Sequence, residues 1–441
     1  MEREAAFELC DIVLQASRAD QTEVRLSGGL SALTRFANNT IHQNVAEQET
    51  AASVRAVVGK QIGVASSTDT SPEGLRELAD KAYQLARLSA TDEDFRSLPE
   101  PQPYDGPDDF RDPATAAYSP EERAAGVAEV LQLSAAEGFS AAGAFATGDS
   151  FYAIANSLGV RTFQARTGAE LSAIVAGESS SGYARAVSPR VAEIEPSALG
   201  RIAVEKCRAS ANPQDLEPGE YSVILEPEAA GDMIGMMGLY DFGALAMQEG
   251  RTFMAGRMGE KVCGDNISIW DDGLDPRGQQ LAYDFEGLPK QRVDLIKDGV
   301  AAGVVWDSYT AGKAGTKSTG HALPAPNDWG PMPLNMFVAP GDSSVSEMIA
   351  GTERGLLITR FHYTNMVHPI LTVFTGMTRD GTFLIENGQI VGGIKNLRFT
   401  QSILDALSCV SAISREGKLT DYVWCPALKI ECFNFSSGTE F

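Results

Sequence analysis

Two rhythms of apolar and polar positions divide this chain. Ala5, Leu9, Ile12, Val13 and Ala16 recur at helical spacing and predict an amphipathic helix over 2–18. Alternation at period two then takes over. It predicts strands at 22–27 and 32–37 joined by a Gly28-Gly29 turn, and further strands at 41–46, 50–58 and 63–67, an antiparallel meander. Ser71-Pro72-Glu73 and Ser119-Pro120-Glu121-Glu122 each place a capping oxygen, a first-turn proline and early acids together. They predict helices over 71–88 and 119–138. Residues 89–117 are rich in Pro, Asp and Glu, lack any period and read as a surface loop. A second group of strands is predicted at 140–149, 150–156 and 161–172, with Asn156-Ser157-Leu158-Gly159 as a hairpin turn. A helix over 196–211 follows.

Residues 212–220 read as a linker. A short apolar strand, Tyr221 to Leu225, then runs into a predicted helix over 226–249. Pro227 sits in its first turn, and Met233, Met236, Met237, Tyr240, Ala244 and Met247 fall at helical spacing. Gly231, Gly235, Gly238 and Gly243 interrupt it. Each glycine weakens a helix by roughly 1 kcal/mol relative to alanine, so another surface is expected to pack close to this backbone. On composition alone it is a Met-rich core helix. Beyond it the pattern turns to strands, at 267–271, 293–298, 300–310, 355–361, 371–376, 381–386, 389–391, 395–399 and 427–432. Short helices are predicted at 344–352 and 401–407. The fold class is therefore α+β, with an N-terminal α/β-meander domain over 1–211 and a mainly antiparallel β domain over 221–441.

Composition narrows the function. The chain has 441 residues, enough for two or three domains, and no apolar run of about 18 residues that could span a membrane. Its acidic, amphipathic start lacks the basic and apolar regions of a signal peptide, so a cytoplasmic location is expected. A net charge of −23 argues against nucleic acid or an anionic membrane as a direct partner. The six cysteines form no CxxC pair and are expected to be reduced and mostly buried. There are only four histidines, His42, His321, His362 and His368, which limits metal and acid–base chemistry. On a straight strand His362 and His368 would stand about 20 Å apart, and only a turn at 364–366 would unite them. His42 reads as structural, Asp284 and Glu286 as a solvated strand face, and Arg379-Asp380-Gly381 as a hairpin turn.

Several phrases are more specific. They include Gly250-Arg-Thr-Phe-Met-Ala-Gly-Arg-Met-Gly-Glu260, Asp284-Phe-Glu-Gly-Leu-Pro-Lys-Gln-Arg292, Ser318-Thr-Gly-His321 and His362-Tyr-Thr-Asn-Met-Val-His368. Thr375-Gly-Met-Thr-Arg-Asp-Gly-Thr-Phe-Leu-Ile-Glu-Asn-Gly388, Phe36-Ala-Asn-Asn-Thr-Ile-His-Gln-Asn44 and Ile154-Ala-Asn-Ser-Leu-Gly159 are of the same kind. Together they resemble the TldD/PmbA family, also called modulator of DNA gyrase proteins, from about Glu4 to Ile430. The resemblance implies a barrel-like C-terminal domain and a cytoplasmic TldD–TldE pair in which TldD is a zinc peptidase acting on peptides or unstructured chains. TldD members carry a His-Glu-x-x-x-His helix whose imidazoles hold zinc and whose glutamate polarises a bound water. Laid on this chain, those three groups fall on Gly235, Met236 and Tyr240, none of which can do that chemistry; Cys425 lies near the family's third-ligand position.

The resemblance therefore implies a TldE/PmbA-like member with no catalytic residue and no metal of its own, the zinc being expected in a TldD-like partner. Heterodimer formation with that partner, or self-association, and a peptide substrate are the expected interactions. Any link to DNA gyrase is indirect. His321, His362, Tyr363, Asn365, His368, Arg379 and Asp380 are candidate substrate or partner contacts. Two alternatives stand beside this reading. One is a self-contained metal-dependent hydrolase using His321, His362 and His368, with Cys425 as a further ligand. The other is a non-catalytic, peptide-binding homodimer.

Overall fold

A computed structural model describes residues 1–438. Its N-terminal half uses one αβββα unit twice. The first copy is α1 (Arg3–Ala16), β1 (Gln21–Ala37), β2 (Thr40–Val58), β3 (Gln61–Ser67) and α2 (Pro72–Leu88). After β4 (Asp109–Phe110) and α3 (Pro113–Ala116), the order recurs in α4 (Pro120–Ala136), β5 (Ser140–Asn156), β6 (Arg161–Ala176), β7 (Ser181–Ser188) and α5 (Pro196–Ala209). The sheet runs β3-β2-β1-β5-β6-β7, and the antiparallel β1–β5 pair at its centre joins the copies. Helices α1 and α2 bury Cys10, Val13, Leu75 and Leu78 against Val24, Leu26 and Ala153. Helices α4 and α5 bury Val127, Val130 and Leu199 against Phe36, Phe145 and Leu171. A glycine in each copy lets its helix touch the sheet. A Cβ on Gly63 would lie 2.2 Å from the Ala86 nitrogen of α2, and one on Gly182 2.1 Å from the Ala203 oxygen of α5.

The C-terminal half comprises β8 (Gly219–Leu225), α6 (Pro227–Tyr240), α7 (Ala244–Gln248), β9 (Ile269–Asp271), β10 (Val293–Lys297), β11 (Val300–Ala301) and α8 (Ser308–Ala314). It continues through β12 (Met336–Val338), α9 (Val345–Ala350), β13 (Arg354–His368), β14 (Val373–Glu386), β15 (Gln389–Gly393), β16 (Leu397–Ser402), α10 (Ile403–Ser408), β17 (Val410–Thr420) and β18 (Val423–Gly438). Pairing runs β18-β16-β14-β13-β8, and β18 also pairs with β8, so these five strands close on themselves as a barrel. β12 joins β18 and carries β9, β10 and β11 outward. Helix α6 shares one core with the barrel: Ala230, Met233, Ile234 and Met237 pack with Leu356, Ile358, Phe361, Phe399, Leu428 and Phe433.

The caps form as read. Ser71 accepts from the Gly74 amide, and Ser119 with Glu122 makes a reciprocal capping box. Other expectations fail for physical reasons. Gly28-Gly29 is no turn: β1 runs straight through it, and a Cβ on Gly28 would lie 2.5 Å from the Glu49 carbonyl oxygen of the neighbouring strand. The segments at 41–46 and 50–58 are one strand, as are 140–149 and 150–156. Only Val300–Ala301 of the 300–310 strand forms, because Asp307 accepts from the Thr310 amide and hydroxyl and starts α8. Arg379-Asp380-Gly381 lies inside β14 as an irregularity opposite Ile358–Arg360, not at a hairpin end. Strand β17 forms where no strand is expected, because its central Ser-Arg-Glu-Gly-Lys stretch breaks any apolar alternation.

The helix read over 226–249 stops at Tyr240, and α7 starts anew at Ala244. The Thr252 hydroxyl donates to both the Asp241 carbonyl and its side chain, holding the break between them. The apolar stripe thus does not run unbroken to Met247. The cysteine reading is also corrected in part. Cys10, Cys207, Cys263 and Cys425 are buried thiols, but Cys409 and Cys432 form a disulfide. The Glu431 amide donates to the Cys409 carbonyl, so the ladder itself brings the two cysteines together. His42 is exposed on β2.

Candidate functional site

The glycines of α6 mark a close contact, as their number suggested. A Cβ on Gly231 would lie 2.2 Å from the Thr420 hydroxyl, and one on Gly235 3.4 Å from the Tyr422 hydroxyl. Thr420 ends β17, and Tyr422 lies in the turn between β17 and β18. The Tyr422 hydroxyl donates to the Gly235 carbonyl at 3.0 Å, so the phenol occupies the helix face at that position. Met236 lies beside it, whereas Tyr240 packs edge-on against Trp329. Residues 235 and 240 are about 140° out of phase on a regular helix. The structure therefore brings Gly235 and Met236 to one cleft and sends Tyr240 elsewhere.

That cleft, of about 290 Å³, lies between the two halves of the chain. β7 contributes Tyr183 and Arg185, α6 contributes Glu228, Asp232 and Met236, and β13 contributes Arg360 to Thr364. Opposite charges interlock there. Arg185 donates to Glu170 at 2.8 Å and to Asp421 at 2.5 Å and stands 3.7 Å from Glu228. Lys418 meets Glu228 at 2.9 Å. Arg360 donates through Nε to Asp380 at 2.8 Å and lies over the Tyr183 ring at 4.3 Å. Burial pushes Asp232 up to about 6, although the Thr364 hydroxyl donates to it at 3.1 Å. Burial, with Arg379 and Arg360, lowers the pKa of His362.

Of the other expected site residues, Tyr363 also lines this cleft and Asp380 is held by Arg360 beside it, while the rest scatter. His321 is buried away from the cleft, with Nε2 2.8 Å from an Asp271 oxygen and Nδ1 2.9 Å from the Thr319 hydroxyl. Tyr363 is 78% exposed with φ 59°, Asn365 donates to the Tyr363 carbonyl, and His368 is exposed and accepts from the Leu371 amide. Extended pairing with β14 resumes between and beyond them, so no turn unites His362 with His368. Cys425 is a core thiol whose pKa burial raises. Among the described residues, no three His, Cys, Asp or Glu side chains are grouped to hold a metal ion.

Asp284 and Glu286 are not solvated. Glu286 takes Arg55 at 3.1 Å and the Ser308 hydroxyl at 2.8 Å, and Asp284 accepts the amides of Glu286, Leu288 and Ala322. Burial and the neighbouring Glu286 raise the Asp284 pKa. Arg185, Glu228, Asp232, Arg360, Asp421 and Tyr422 were missed as site residues. The local signals were Glu228 in the first turn and Asp232 one turn before Gly235, the two charges on a helix of otherwise apolar and small residues.

A model described as the PmbA/TldA metallopeptidase C-terminal domain matches residues 218–437, and one described as PmbA/TldA metallopeptidase domain 1 matches 22–86. The chain belongs to the PmbA/TldD family. Metalloprotease PmbA of Escherichia coli O157:H7 is 24% identical, over 95% of this chain and 93% of that one. A metalloprotease of Methanothermobacter thermautotrophicus is 25% identical over 50% of this chain, which spans only 47% of that relative's length. The crystal structure of TldE from Thermococcus kodakarensis superposes with a TM-score of 0.90 at 21% identity, covering 98% of this chain and 100% of that one. At that identity the likeness shows the shared PmbA/TldD fold alone. No described helix is long and apolar enough to cross a membrane.

Buried carboxyls make α6 sensitive to pH. Asp241, just past its end, is pushed up to about 8 by burial, although Thr252 and the Phe253 backbone favour the charged form. Its Oδ2 has no hydrogen-bond partner among the described residues. An unfolded aspartate ionises near pH 3.8. Between that pH and 8 the folded chain holds a proton that the unfolded chain has released, so stability falls as pH rises. Asp241→Asn is expected to add about 2 kcal/mol or more at pH 8 and almost nothing at pH 4. Urea unfolding at the two pH values checks this, and an equal gain at both would refute a neutral carboxyl.

Proposed function

We propose that this chain is the non-metal, TldE/PmbA-like subunit of a TldD/TldE-type cytoplasmic zinc peptidase that processes peptides and unstructured chains. The observation that carries the reading is the state of the α6 positions. Gly235 has no side chain and Tyr422 covers it, Met236 offers a thioether and no exchangeable proton, and Tyr240 faces Trp329. This donor set does not fit zinc, which takes imidazole, thiolate or carboxylate in a closed geometry. No hydrolytic step is assigned to these residues. In this reading a TldD-like partner supplies the metal, and the charged cleft lined by Arg185, Asp232 and Arg360 borders the substrate path.

Purified alone, the protein is expected to contain no stoichiometric zinc and to leave an unstructured chain such as casein intact. Mixed with a TldD-like partner, it is expected to support cleavage. Full cleavage by the partner without this chain would sink the proposal, as would stoichiometric zinc in the isolated chain that is lost on His362→Ala. The homodimer reading draws on the exposed run Tyr363, Val367, Ile370 and Leu371 at the end of the β13–β14 hairpin. Sedimentation of the isolated chain tests it: a monomer that assembles only with the partner excludes it.

A further inference from the structure

The face of the N-terminal sheet turned away from its helices carries another cleft, of about 380 Å³. β5 and β6 form its floor, and Gln279 and Leu419 border it from the C-terminal half. Two features of it have no explanation in the chain's own packing. Gly148 and Gly168 stand opposite each other across the β5–β6 ladder. A Cβ on Gly168 would meet nothing within 4 Å, and one on Gly148 would meet only the Leu30 carbonyl oxygen at 3.4 Å. Neither has a backbone conformation that requires glycine. Glycine inside a strand weakens it, and it often marks a bulge, a tight bend or a place where a ligand or another backbone approaches closely; the regular β5–β6 register here has no bulge.

The second feature is Arg166. It lies two residues before Gly168 and so on the same face. Its Nη1 donates to the Gln279 side chain at 2.6 Å, but among the described residues no carboxylate acts on it. Burial lowers its pKa, with only Tyr152 opposing. Glu170, also at this cleft, is engaged by Arg185. Asp149 alternates to the opposite face of β5 from Gly148, and Arg111 acts on it there. Its hydrogen-bond partners, Gln279 and Tyr152, are both neutral, so this guanidinium keeps a charge that no carboxylate on the described residues balances, and its fork suits a carboxylate.

We propose that this cleft binds the C-terminal end of an extended peptide, with main chain over the Gly148–Gly168 floor and the terminal carboxylate on Arg166. The inference rests on the reading of this chain as a peptide-handling subunit. A small anion would use Arg166 but leave the bare floor beside it without purpose, whereas an extended main chain uses both. Alternate side chains of an extended peptide face the floor, where the bare glycines leave room for them, so recognition is of the chain end and not of a particular sequence.

The test is calorimetric titration of the isolated full chain with acetyl-trialanine as the free acid and as the C-terminal amide. The acid is expected to bind roughly tenfold or more tighter, the scale of one charge-assisted pair. Arg166→Gln is expected to abolish that preference. Gly168→Val, whose side chain enters the floor, is expected to weaken acid and amide alike while leaving the melting temperature unchanged. Equal affinity for acid and amide, or no binding of the acid at ~10 mM, would overturn the proposal. So would inorganic phosphate displacing the acid at equal concentration, since that would reduce the cleft to an anion site. Neither zinc nor partner enters this titration, so failure of partner-dependent cleavage and failure of carboxylate capture are separate results.

Discussion

Asp271→Ala is expected to cost about 3–5 kcal/mol of stability, the loss typical of removing one partner from a buried ion pair. Asp271 is fully buried at the end of β9 and is a hub for three irregular segments. One oxygen is 3.3 Å from the Lys290 ammonium and 2.8 Å from His321 Nε2, and the other accepts the Asn335 amide at 2.7 Å. Burial alone would raise its pKa, but Lys290 and His321 outweigh it and hold the carboxyl below the usual range. Burial and Lys290 lower the His321 pKa, so a neutral ring donates its Nε2–H to Asp271. Alanine would leave the Lys290 ammonium in a dry core with no counter-charge.

Two further measurements define this prediction. Because the Asp271 pKa is depressed on folding, its contribution is present above the unfolded value near 3.8 and lost as pH falls below it. The gap between wild type and Asp271→Ala should therefore narrow in acid. The double variant Asp271→Leu, Lys290→Met should recover most of the loss, since removing both charges leaves neither stranded. A single-variant loss under ~1 kcal/mol in urea unfolding would show that water reaches Lys290 and that the pair is not a buried one.

Phe399→Ala is the second large expectation, also about 3–5 kcal/mol. The ring is fully buried, and its centroid is 4.4 Å from Phe361, 4.8 Å from Phe374 and 5.4 Å from Phe433. These rings come from β13, β14 and β18, so Phe399 on β16 ties three other strands of the barrel. Gly376 makes room for it, since a Cβ there would lie 2.7 Å from the Phe399 ring. Phe399→Leu should recover more than half of the loss by keeping most of the apolar volume. Ile390→Ala, at an exposed position on β15, should stay within ~0.5 kcal/mol of wild type. A Phe399→Ala loss no larger than that of Ile390→Ala would mean the barrel core collapses around the gap.

What was legible in advance followed the range of the interaction. The caps at Ser71 and Ser119 each depend on atoms three residues apart, and both form. The glycines of α6 announced a close neighbour correctly but could not name it, because Tyr422 is 187 positions away. The same limit explains the acidic pair. Asp284 and Glu286 looked solvated because Arg55, 231 positions from Glu286, is invisible to any local reading. Arg185 and Asp421, 236 positions apart, define one wall of the α6 cleft and gave no signal as a pair.

The sequence by itself determined the α+β class, the starts of α2 and α4, the family, and that no imidazole or carboxylate stands at 235, 236 or 240. Each of these rests on residue identity or on spacing within a few turns. Only the tertiary structure decided that the N-terminal half is one αβββα unit used twice, and that α6 ends at Tyr240. It also decided that His321 belongs to a buried ion network while His362 borders a cleft between the halves. The reason is common to all of them. Strand continuity, burial of charge and the closing of a barrel depend on partners that meet only when distant parts of the chain fold together.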